Sequence, residues 1–212
     1  MTTLQIVLLI GLIGSFLMFV GDMCLYFDKG DYDNKDKWNS IFAIMKKVST
    51  KRLYIGGLLG PLTAFLYAIG FYHIVLVTSS ELSWLARIAF FICVGGIFFG
   101  GAYHIQTAGL GLLAKNGHED DIKAQWKFLN FQSMIFMSAA GIGILIFFVL
   151  IVSGWTILPQ WVAALSPLVL FALMPLIRKL PKGLPHMIIC GGWSNLPFVI
   201  YFLTVLITIS VI

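Results

Sequence analysis

The sequence predicts an all-α protein: a polytopic membrane bundle of six transmembrane helices with one amphipathic helix on the cytoplasmic surface. Three observations carry that reading. The chain is 59% hydrophobic and only 11% charged, about half the charge of a soluble domain. Apolar stretches near or above the length needed to cross ~30 Å of hydrocarbon recur from one end to the other. Thirteen of its fourteen lysines and arginines fall on alternate connections between those stretches. The apolar runs are continuous, without the period-two alternation of a membrane barrel. Little chain is left for a soluble part, so residues 1–212 form a single transmembrane domain.

The spans run approximately over 4–26, 53–78, 84–113, 125–154, 159–177 and 186–210. The first is preceded by no positive charge and followed by no Ala-x-Ala-like site, which favours a retained helix over a secretory signal. The connection after it begins with the acidic "DKGDYDNKDK", which lacks the sixth-position glycine and terminal glutamate of a calcium loop. It continues as "WNSIFAIMKKV", where Trp38, Ile41, Phe42, Met45 and Val48 recur at helical spacing. That pattern predicts an interfacial helix with its apolar face in the cytoplasmic leaflet. The second span carries Gly56, Gly60, Ala64 and Ala68 at four-residue intervals, with Pro61 as a kink. The third carries Gly96 and Gly100, and His104 is the next residue in that series. On the first, Gly11, Ser15, Met18 and Asp22 share one face. Small residues mark faces where helices approach closely in lipid, so Asp22 and His104 are expected to point into the bundle.

Charge sets the orientation. Seven basic residues lie between the first two spans, three near the third connection and three at the fifth, while Arg87 alone falls on the other side. The positive-inside rule then places both termini outside a bacterial inner or plasma membrane. Trp84, Trp155 and Trp161 fall at the outer interface and Trp38, Trp126 and Tyr54 at the inner one. Three spans per half would permit an inverted repeat, but no motif recurs between the halves.

Two similar pentapeptides, "GFYHI" at 70–74 and "GAYHI" at 101–105, raise the question of a shared metal or haem. Depth answers it. His73 lies ~30 Å along its helix from the cytoplasmic end, and His104 about as far from the outer end of a helix running the other way. The two cannot share a ligand, and His73 is expected to be an interfacial residue near the outer boundary. His118 falls in a loop and His186 at a helix start after Pro185, so no metal set and no cofactor is expected. Cys24, Cys93 and Cys190 are isolated and read as buried structural thiols.

A polar band does gather on the cytoplasmic side. Asp22, Tyr103, His104, Gln106, Asn130, Gln132, Trp193 and Asn195 fall at one depth, with Tyr26, Thr107 and Ser194. Ionisable groups inside a span are expensive unless they face a partner or a cavity. Three readings stand: a pocket for a small amphipathic or lipid-like molecule, used in binding or transport; an intramembrane lipid-modifying enzyme with Asp22 and His104 as an acid–base pair; or a structural network without a ligand. Membrane lipids are the expected partners and nucleic acid is not; the net charge of +5 reflects the loops.

The stretches "GLIGSFLMFVGDMCLYF", "IGGLLGPLTAFLYAIGFYHI" and "GGAYHIQ" resemble a bacterial family of small multispan proteins known as a domain of unknown function. The resemblance covers roughly the first half of the chain and implies a multispan membrane fold, without an activity to carry over. The zinc-binding H-x-x-x-H of ceramidase-like hydrolases is absent, as is a nucleotide-binding fingerprint.

Overall fold

The computed structural model describes residues 1–28, 37–117, 119–181 and 183–211, with no side-chain description for 37–41. Apart from one isolated pairing of Thr78 with Thr156, the described residues form helices and turns. In order they are α1 (Thr3–Tyr26), α2 (Lys37–Lys47), α3 (Thr50–Phe71), α4 (His73–Val77), α5 (Ser83–Asn116), α6 (Glu119–Val152), α7 (Pro167–Ala172), α8 (Met174–Ile177), α9 (Leu184–Gly191) and α10 (Leu196–Val211). Short 3₁₀ turns precede α5 and α7.

Four stretches are long and apolar enough to cross a membrane: Thr3–Tyr26, Thr50–Val77, Ser80–Asn116 and Glu119–Val152. A fifth is added if α9 and α10, bent by 77° at their junction, count as one broken span. The outward surface suits lipid. Phe16, Leu58, Phe65, Phe91, Phe131 and Met134 are all more than half exposed, a larger apolar display than a soluble monomer tolerates.

The expected continuous fifth helix over 159–177 is not formed. The segment is a 3₁₀ turn over Gln160–Leu165 followed by the short α7 and α8. Proline is the physical reason. Pro167 and Pro175 stand in the first turns of α7 and α8 and Pro185 in the first turn of α9, where a missing N–H costs nothing but a preceding turn cannot continue. Hydropathy averaged over the segment had hidden these stops. The expected 186–210 span is divided in the same region, at Gly192–Asn195.

Helix ends are closed by named groups. Thr2 and Gln5 form a reciprocal capping box at the start of α1. At its other end the Arg52 guanidinium donates to the carbonyls of Met23, Cys24 and Phe27 at 2.7–3.1 Å. Carbonyls in the last turn of a helix lack intrahelical donors; Met23 already accepts from the Phe27 N–H, and Arg52 supplies donors to the others and ties α1 to the first turn of α3.

The small-residue faces make the close approaches. A Cβ on Gly60 would overlap His104 Cβ and lie 2.5 Å from the Gly101 carbonyl oxygen. One on Gly96 would lie 2.9 Å from the Ala140 backbone nitrogen. α1, α3, α5 and α6 therefore pack in sequence, and α10 returns along α1. Ring stacking fills the end away from α2. There Tyr67 and Phe198 meet edge to face at 5.4 Å, between Phe71 and Phe202.

The α2 helix differs from its expected placement in lipid. Ile44, Met45 and Val48 are buried against Leu25, Leu53, Ala108 and Ala114, so its apolar face covers the protein's own helices. The absent side chain at Gly111 makes room for Met45 Sδ. Trp38 and Ile41 lie outside the side-chain description, and the acidic stretch 29–36 and His118 lie outside the described residues.

Candidate functional site

Asp22 sits one turn before the end of α1 and is 3% exposed. Its Oδ2 accepts hydrogen bonds from Asn195 Nδ2 at 2.7 Å and Ser194 Oγ at 2.9 Å. Its Oδ1 lies 3.4 Å from His104 Nε2. The break between α9 and α10 makes this possible, because the turn at Gly192–Asn195 carries Ser194 and Asn195 across to α1. Gly192 is pressed against the Phe19 ring, and a Cβ there would overlap it. Irregular backbone at membrane depth persists where it lines a cavity or is covered by protein.

The network continues in both directions. Asn195 Oδ1 accepts from Tyr67 OH at 2.8 Å, and His104 Nδ1 lies 3.2 Å from the Gly56 carbonyl oxygen. Five residues from four helical stretches are thus linked: Tyr67, Asn195, Asp22, His104 and Gly56. Both imidazole nitrogens of His104 face acceptors. The Asp22 carboxyl group and the Gly56 carbonyl thus flank the ring on both sides. Polar groups persist in a dry setting where each faces a partner.

A cavity of about 540 Å³ opens beside this network, within the size range of small-molecule sites. Asp22, Tyr103, His104, Ser194 and Asn195 stand at its polar end, with Tyr26. Along α5 it follows Cys93, Gly96, Ile97, Gly100, Tyr103 and His104, one helix face about 16 Å long at 1.5 Å per residue. Opposite stand Met137, Ala140 and Ile144 of α6, and Leu168 and Phe171 of α7 close its apolar end.

Of the eight residues expected from sequence, Asp22, Tyr103, His104 and Asn195 line this cavity. Four stand elsewhere. Gln106 pairs with Gln125, whose Nε2 donates to its Oε1 at 2.7 Å. Asn130 is exposed on the outer face of α6, so it does not approach Asp22. Depth along a helix had placed it, but depth does not say which face it is on. Gln132, two residues on, is the inward one: it donates to the Phe99 carbonyl at 3.0 Å, leaving its Oε1 buried without a partner. Trp193 is buried, its Nε1 also lacking an acceptor.

His73 is not an interfacial residue. It is 1% exposed, with Nδ1 2.7 Å from the Gly70 carbonyl and Nε2 2.9 Å from Tyr201 OH. Phe147 and Phe202 stand edge-on to its ring. Sequence reasoning treated position near a helix end as exposure and missed Tyr201, the partner supplied by α10. It also missed Tyr67, which lies seven residues beyond Gly60 on the small-residue face of α3.

One more pair lines the cavity. Cys190 Sγ lies 3.3 Å from His186 Nε2 on α9. No cluster of three or more metal-binding side chains occurs among the described residues.

The fold and site define an all-helical protein with helices apolar enough to cross a membrane, built around an acid–imidazole–amide network beside an internal cavity. Residues 1–211 match the family of unknown function DUF6796, and the chain belongs to that family. No curated protein and no solved structure matches the sequence.

Proposed function

We propose that the protein binds a small amphipathic or lipid-like molecule in this cavity, for binding or transport across a cell membrane. The observation that carries the reading is the cavity's polarity gradient. Its charged and amide groups stand together at one end, and the rest of its length is lined by glycine, methionine and aliphatic or aromatic carbon. An amphiphile matches that gradient, its polar head at Asp22, Ser194 and Tyr103 and its tail along α5. A broken helix that carries polar groups to a mid-bundle site is also the device that transporters use at their binding sites.

The same reading gives six crossings with both termini outside. Gln5 Nε2 lies 3.4 Å from Ser210 Oγ, so the two ends of the chain meet at one end of the bundle. That contact favours an even number of crossings, with α7, α8 and their flanking turns as the descent between α6 and α9. Lys46, Lys47 and Lys115 lie at the end of the bundle away from that contact, as the positive-inside rule asks of a cytoplasmic face.

Acid–base catalysis by Asp22 and His104 finds less support. A general base needs a free nitrogen within reach of substrate, and both nitrogens of His104 already face acceptors inside the protein.

The experiment is native mass spectrometry of the protein purified in mild detergent, with extraction of what it carries. Wild type is expected to retain one intact amphiphile, and Asp22→Ala and His104→Ala to lose it. Stable, folded variants that bind as wild type does would overturn the reading.

A further inference from the structure

We propose that Cys190 is a nucleophile that takes an acyl group from a long-chain acyl thioester, with His186 as its base. The proposal rests on the cavity accepting an acyl chain, and adds a covalent step to it. His186 and Cys190 are four residues apart on α9, which places both on one helix face. Their reactive atoms, Nε2 and Sγ, are 3.3 Å apart, within reach for proton transfer from a thiol. Both side chains are half-buried and line the cavity. A thiol beside a positioned imidazole is the arrangement that generates a nucleophilic sulfur.

Position supplies the second argument. Gly191, next to Cys190, lies against Met23, one residue beyond Asp22, so the thiol stands at the polar end of the cavity. A carbonyl held there leaves its chain running toward Met137, Ala140 and Leu168. Sγ also lies 4.0 Å from the Ile177 carbonyl, and the next two residues, Arg178 and Lys179, are exposed. They form a basic rim suited to the phosphates of a carrier such as coenzyme A. His104, held between Asp22 and Gly56, cannot serve as this base. His186 can.

The step balances without an oxidant. The Cys190 thiol gives its proton to His186 Nε2 and the sulfur attacks the thioester carbonyl. The carbon–sulfur bond to the carrier breaks as the bond to Cys190 forms, and His186 returns the proton to the departing thiolate.

The test is incubation of the full-length protein in nanodiscs with palmitoyl-coenzyme A, followed by intact mass and neutral hydroxylamine. One hydroxylamine-labile palmitoyl adduct is expected in wild type and none in Cys190→Ser or Cys190→Ala. Adduct formation is expected to slow roughly a hundredfold in His186→Gln, as for loss of a general base, and to lose the wild-type dependence on pH. Cys24→Ser, outside the cavity lining, is expected to react as wild type does. Thermal unfolding of each variant separates misfolding from lost chemistry. An adduct that survives Cys190→Ser, or a wild-type rate in folded His186→Gln, would overturn the proposal. So would a wild type that carries a bound amphiphile yet never becomes acylated, and that result would leave the binding reading intact.

Discussion

Truncating Asp22 to alanine removes a carboxyl group on which three side chains converge. Asn195 Nδ2 and Ser194 Oγ lose their hydrogen bonds of 2.7 and 2.9 Å, and His104 Nε2 loses the oxygen 3.4 Å from it. The His104 side chain is 7% exposed, so the ring has little water to turn to. Leaving buried polar groups without a partner costs about 1–3 kcal/mol each. His104→Ala strands Asp22 in the same way and is expected to cost a similar amount. The double variant removes both groups and with them the penalty each leaves on the other. Its destabilisation is expected to fall short of the sum of the two single losses by about 2 kcal/mol, within the range measured for residues in direct contact. Equilibrium unfolding in mixed micelles, run on the four proteins of the cycle, reads this coupling. Additivity within about 0.5 kcal/mol would show that the two groups do not interact and would refute the reasoning.

Four further outcomes follow from the packing and the topology. Gly60→Val is expected to prevent stable assembly of α3 on α5, because its Cβ would overlap His104 Cβ and the Gly101 carbonyl; yield of monodisperse protein after purification measures it. Tyr201→Phe leaves His73 Nε2 without its 2.9 Å partner and is expected to cost about 1–3 kcal/mol of unfolding free energy. Asn130→Ala, on the exposed face of α6, is expected to stay within about 0.5 kcal/mol of wild type in the same assay. Single cysteines introduced at residues 2 and 211 of a cysteine-free background are expected to react with a membrane-impermeant maleimide from one side, and a cysteine at Lys115 from the other.

The first half of the bundle was legible because close helix packing leaves a periodic trace. Gly11, Ser15 and Met18, Gly56 and Gly60, and Gly96 and Gly100 are legible in the sequence as contact faces, and the next step of four residues from Met18 and from Gly100 leads inward to Asp22 and His104. The second half carries less of that trace. Between Pro159 and Pro185 the apolar content of a span is present but the backbone donors of a continuous helix are not, so hydropathy and helix formation part company there. Asn130 and Gln132 show the other limit. Two residues separate them, the amide character is the same, and only the rotation of α6 sends one outward and the other toward Phe99. Residue types alone did not say whether a polar group near a helix end meets water or protein: His73 is held by Tyr201, 128 positions further along the chain. The His186–Cys190 spacing was visible from the start as a four-residue interval. Its significance lies in the cavity beside it.

The cavity itself is the central claim, and a pair of glycines on one helix tests it most directly. A Cβ on Gly100 would have only Ile97 Cδ1 at 3.9 Å and Phe136 Cδ2 at 4.0 Å near it, on the cavity wall. One on Gly95, exposed on another face of α5, would meet nothing within 4 Å. A Cβ therefore meets no clash at either position, and leucine raises helix propensity at both, yet its side chain enters the cavity only from position 100. The measurement is native mass spectrometry of the two variants beside wild type. The account predicts that Gly95→Leu retains the bound amphiphile and that Gly100→Leu, equally folded, loses it. Full occupancy in Gly100→Leu, or the same loss in both variants, would contradict it.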